Sequence, residues 1–135
     1  MLAAGKVLSQ ALGILGVMIG HWHGLVIDCP DPSLLAGFYQ DLLGMQRVQE
    51  DEHWVVIGDA PDRPGLAFQR VAGMRPPRWP DPEHPQQMHL DVRVSDLDEA
   101  EQAALALGAR RLPGGGERFR VLGDPAGHPF CLVSF

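Results

Sequence analysis

Residues His89 to Val94 alternate without a break: His, Leu, Asp, Val, Arg, Val. A period-two pattern of this kind marks a strand with one buried face and one wet face. Leu90, Val92 and Val94 share the face that needs a core, and His89, Asp91 and Arg93 share the other. Gly24 to Cys29 reads as a second such strand. Each of these strands runs into a helical signature. Asp31 is a helix cap with Pro32 at the first helical position, Leu34, Leu35, Phe38 and Leu42 form an apolar stripe, and Gly44 ends it. Asp96 opens the second helix, which carries Leu97, Ala100, Ala104 and Leu107 and stops at Gly108. Short strands follow each helix: Gln46 to Gln49, His53 to Ile57 and Leu66 to Val71, then Arg110 to Leu112, Phe119 to Leu122 and Phe130 to Val133. The order is β-α-β-β-β, twice.

The landmarks recur at a nearly constant spacing. Asp31 and Asp96 are 65 apart, Gly44 and Gly108 are 64 apart, and Gly58-Asp59 and Gly123-Asp124 are 65 apart. Gly65 to Gln69 is echoed by Gly127 to Cys131. Concordant offsets mean an internal duplication. The expected fold is α+β, two tandem βαβββ modules forming a cleft-bearing curved sheet pair. Residues 22–135 make one domain, with module one at 22–71, a Pro-rich linker at 72–87 and module two at 88–135. The linker has five prolines, too rigid for helix and too irregular for strand. Residues 1–21 form an N-terminal extension, expected to be helical because Val7, Leu8, Ala11, Leu12 and Leu15 fall at helical spacing. Ala11 to Gly20 is the most apolar run, too short for a bilayer and without a signal-peptide cleavage site. Either Met1 or Met18 could be the true start, and a cytoplasmic location is expected.

Composition narrows the partners. The chain has 135 residues, 45% apolar and 21% charged, which suits one globular domain. A net charge of −6 argues against nucleic acid, whose phosphates want a basic face. Two cysteines exclude a disulfide scaffold and suit a reducing compartment. No segment reads as membrane-spanning. An open sheet pair leaves edges exposed, so a homodimer is expected.

Three ionisable residues on one strand face cannot be packed into an apolar core without a cost of several kcal/mol each. The face carrying His89, Asp91 and Arg93 must therefore be wet, paired or part of a site. A 65-residue shift maps it onto Gly24, Val26 and Asp28. His89 and Asp91, two apart on that face, suit acid–base work or a hydrogen-bond network. Asp28 and Arg93 are expected to neutralise each other. Trp79 either stacks on a planar ligand over the cleft or pins the linker. His128, in a turn at the mouth of the last strand, is either an acid/base or a histidine bonded to backbone. His84 and His21 read as solvated. Cys29 and Cys131 point to opposite faces, which argues against a disulfide. No Ser-His-Asp, phosphate-loop or dinucleotide pattern is present.

The duplication, with Asp-Pro-Ser-Leu-Leu-Ala-Gly-Phe-Tyr at 31–39 and Leu-Leu-Gly at 42–44, resembles the vicinal oxygen chelate superfamily. Trp79-Pro80-Asp81-Pro82, Gln86 to Val92 and Asp124 to Leu132 are similar to its bacterial glyoxalase-like domain subfamily. The resemblance covers about residues 22–135. It implies a small molecule in the cleft and, in many relatives, a divalent metal held by the first and last strands of each module. Counted from the capping Asp and the turn Gly, the implied ligand positions are Gly24, Gln69, His89 and Cys131. Only His89 keeps the residue type. The expectation is a cleft that holds no metal tightly, with zinc the most compatible ion should one bind. The site is expected to use His89 and Asp91 as the chemical pair, with Gln69, Trp79, Cys131, Asp28 and His128 around the ligand. The function expected is a lyase, isomerase or dioxygenase-type enzyme, the alternative being a metal-free binding or sequestration protein of the bleomycin-resistance type.

Overall fold

A computed structural model describes residues 18–135. Most of the expected N-terminal helix lies outside them, and residues 18–21 run as exposed, non-helical chain. Module one consists of β1 (Leu25–Cys29), α1 (Pro32–Leu43), β2 (Gln46–Glu50), β3 (Trp54–Ala60) and β4 (Arg63–Arg70). Module two consists of β5 (Leu90–Arg93), α2 (Leu97–Ala106), β6 (Arg110–Arg111), β7 (Phe119–Gly123) and β8 (Pro129–Val133). Two four-stranded sheets result, ordered β1-β4-β3-β2 and β5-β8-β7-β6. In each, the first strand lies parallel to the last, and the rest are antiparallel. The duplication read from the sequence is thus a duplication of topology.

Local chemistry fixes the elements. The Asp31 carboxylate accepts a hydrogen bond from the Leu34 amide at 3.2 Å, and Asp96 accepts from Glu99 at 2.9 Å, so both helices are capped as expected. Gly44 closes α1 in the left-handed region, φ 71°. Val55, Ile57, Leu66 and Phe68 face α1 in the core, as do Leu25, Ile27 and Cys29 of β1. Leu90, Val92 and Val94 turn to the core as their alternation requires. One position of the α1 stripe is displaced: Leu34 is 57% exposed, while Leu35, Ala36, Phe38 and Tyr39 are buried. The two aromatic residues set the helix rotation, which turns Leu34 outward.

Those aromatics join the modules. Phe38 and Tyr39 meet Phe130 of β8 at centroid distances of 5.8 and 6.3 Å, and Tyr39 stacks on Phe68 of β4 at 5.6 Å. The Tyr39 hydroxyl donates at 2.7 Å to Asp124, a fully buried carboxylate at the end of β7. Asp124 also accepts from the amides of Ala126 and His128 at 2.9 and 3.0 Å. Burial and the Asp124 charge hold the Tyr39 hydroxyl well above the ordinary tyrosine range.

Candidate functional site

The face of each sheet opposite its helix carries the polar residues. In module one, Asp28 lies level with Gln69, and Gln69 with Trp54. In module two, Asp91 lies level with Cys131, and Cys131 with Val121. Gln69 and Cys131 each stand four residues after the matched glycines Gly65 and Gly127, so Asp28 and Asp91 occupy equivalent places. This corrects the expected partnership of Asp28 with Arg93. Measured on the sheets, β1 is two residues out of step with the frame set by the helix caps, and Arg93 lies level with Val133 instead. No Asp28–Arg93 ion pair forms among the described residues. By the same register Ile27 lies opposite Phe68 and Leu90 opposite Phe130, so the counterpart of His89 is Val26, not Gly24.

Module two gathers a chemical cluster. His89 Nε2 lies 3.3 Å from Asp91 Oδ1. With Cys131, these residues place three metal-competent atoms within 4.8 Å of one another. His89 and Asp91 are exposed, while Cys131 is partly buried. Burial, and secondarily the Asp91 charge, push the Cys131 thiol above its ordinary range.

His89 also borders a cavity of about 480 Å³ at the seam where β1 and β5 approach each other. Leu25, Val26, Ile27 and Asp28 form one wall, and Met88, His89 and Leu90 form the other. The linker supplies a roof from Met74 to Pro77, from Glu83 to Pro85 and at Gln87, and Tyr39 and His128 reach in from the core side. His128 Nε2 lies 2.7 Å from the backbone oxygen of Asp28, so this histidine ties the modules together at the cavity edge. His84 was expected to be merely solvated, but it lines the cavity and bonds Asp81 at 3.2 Å through Nδ1. The Glu83 amide and then His84 hold the Asp81 carboxyl below its usual range. The Asp81-x-x-His84 spacing was the available signal. Trp79 is not on the cavity wall. Its indole Nε1 donates to the Pro113 carbonyl at 2.9 Å, anchoring the linker on module two. Gln69 and Cys131 lie on the sheet faces and not in the seam, so His89 alone belongs to both the cluster and the cavity. Cys29 is free and fully buried on the helix side.

The donor set can be tested against the metal that the resemblance implies. At the positions equivalent to His89 and Cys131, module one offers Val26 and an amide, Gln69. Module two offers nitrogen, oxygen and sulfur. That set fits a soft or borderline ion of the zinc type, which often takes three protein ligands and leaves one position open. It does not fit the oxygen-only shell of magnesium or calcium.

Comparison with known proteins follows the fold. A family described as glyoxalase-like domain matches residues 24–133. No curated protein matches the chain. A glyoxalase/bleomycin resistance protein/dioxygenase family enzyme from Burkholderia phytofirmans superposes with a TM-score of 0.62 at 16% identity, covering 83% of this chain and 96% of that one. A fosfomycin resistance protein from Listeria monocytogenes, solved with Mn(II) and a dihydroxypropylphosphonic acid, gives a TM-score of 0.63 at 15% identity, covering 87% and 93%. A bleomycin-binding protein from Streptomyces verticillus, solved with copper(II)-bleomycin, gives 0.53 at 17% identity, covering 87% and 99%. At these identities the likeness is one of fold.

Proposed function

Because the chain belongs to the glyoxalase-like domain family of the vicinal oxygen chelate superfamily, we propose that it is a small-molecule enzyme of lyase, isomerase or dioxygenase type, working at the seam between its modules. The observation that carries this reading is the double position of His89, on the cavity wall and beside Asp91. An imidazole set beside a carboxylate is an arrangement suited to general acid–base work on a bound ligand. The cavity volume is within the range of small-molecule sites, and its walls combine apolar surface with a few polar groups. A metal held by His89, Asp91 and Cys131 would act as a Lewis acid on a ligand oxygen.

A second reading, metal-free sequestration, is favoured by Val26, which gives module one no side chain able to ligate opposite His89. Turnover separates the two. The test is a thermal-shift screen of small oxygenated compounds, followed by product analysis of the hits. His89→Ala should abolish binding or turnover and leave the melting curve unchanged, because its side chain is 41% exposed. Ligand binding without turnover in the native chain would end the enzyme reading, and retained turnover in the variant would remove His89 from the chemistry.

The reading includes a homodimer in a reducing, cytoplasmic setting. Free Cys29 and Cys131 support the second part. Exposed Ile19, Trp22, Val26 and Met88 support the first. No helix among the described residues is long and apolar enough to cross a membrane.

A further inference from the structure

We propose that β5 and β8 alone form a soft-metal site of zinc class, with His89, Asp91 and Cys131 as its three ligands and nothing supplied by module one. The backbone preorganises it. Asp91 and Cys131 are register partners on adjacent parallel strands, and His89 is two residues from Asp91 on the same face. Asp91 and the Cys131 thiol stand beside one imidazole, and no Lys or Arg pairs with Asp91 among the described residues. A divalent cation would displace the Cys131 thiol proton to solvent and would then be held by one carboxylate, one thiolate and one imidazole, a mixed N, O, S set. Sulfur selects against magnesium and calcium and in favour of zinc or cobalt. The three protein donors leave one tetrahedral position open. His89 also lines the seam cavity, so the cluster adjoins the space a ligand would occupy.

The proposal rests on the cleft described under the proposed function but needs no organic ligand, and the experiment omits one. Chelator-stripped full-length chain is titrated with Co(II), and the thiolate-to-cobalt charge-transfer absorption is followed. The expected result is one equivalent bound, with the band abolished by the near-isosteric Cys131→Ser. His89→Ala and Asp91→Asn should weaken binding by more than about tenfold, since losing even an outer-shell partner typically costs 10–100-fold. Zinc should displace cobalt, and a large excess of magnesium should not. Cys29→Ala, Asp28→Asn and Gln69→Ala should leave the titration unchanged. Absence of the band, its survival in Cys131→Ser, or displacement by magnesium would overturn the site. Each of those failures leaves small-molecule binding in the seam standing, and a failed ligand screen leaves the metal site standing.

Discussion

Asp124 has no cation beside it among the described residues, and its charge is held by the Tyr39 hydroxyl and two backbone amides. Tyr39→Phe removes the one donor that comes from the other module. Leaving a buried acceptor short of a partner costs about 1–3 kcal/mol, and the urea midpoint should fall accordingly with the slope unchanged. A second residue-scale effect concerns alkali. Burial, reinforced by Asp124, pushes the Cys29 thiol from 9.0 up to about 11. The folded state therefore keeps that proton more tightly than the unfolded chain does. The associated stability is present below pH 9.0 and is lost as pH rises toward about 11. Tyr39 is shifted in the same direction. Unfolding midpoints measured across that window should decline, and Cys29→Ala should flatten part of the decline. A profile in which stability rises over the window would contradict the burial of both groups.

The elements depend on a close approach between linker and module two. Gly127, in the β7–β8 turn, has φ 101°, and a Cβ there would stand 2.9 Å from Pro76 Cβ. Gly127→Ala combines a disfavoured backbone with a clash against the cavity roof, at about 1–3 kcal/mol for the backbone alone. The variant should lose ligand binding and expose the linker to faster limited proteolysis. Gly127 was legible as a turn residue, whereas its counterpart Gly65 lies inside β4. The alternation at 89–94 likewise placed Leu90, Val92 and Val94 inside and His89, Asp91 and Arg93 outside. The equivalence of strand positions between the two modules was not legible. A two-residue step between helix frame and sheet frame keeps every side chain on its proper face, so no hydrophobic pattern reports it. That step separated Asp28 from Arg93. Trp79 was undecidable for a related reason: its partner is a backbone carbonyl 34 residues away, and sequence carries no trace of such a contact. Asp124 stood out only as a landmark of the repeat, and only the fold brings Tyr39 to it.

At the scale of the molecule, α1 belongs to module one by sequence but packs its aromatics on both modules. Unfolding should therefore be a single transition. Phe38→Ala should lower it as a whole, by about 3–5 kcal/mol, without splitting it. Two resolved transitions in calorimetry would mean the modules are independent. The homodimer is checked by light scattering on the intact chain and on a chain lacking residues 1–17, the shorter form being expected to lose association or stability.

The clasp between Tyr39 and Asp124 has no twin. The positions related by the 65-residue offset are Ala104, also fully buried, and Asp59, which is exposed. A gene duplication begins with two interchangeable copies, and this one has been divided by trade. The clasp takes one side chain from each copy, whereas His89, Asp91 and Cys131 all lie in the second. Mutations should accordingly sort by ancestry. Drift in the first half would be purged for what it does to abundance, and drift in the second half for what it does to chemistry as well. Saturation libraries scored separately for soluble yield and for ligand or metal binding should show the two halves under different kinds of selection.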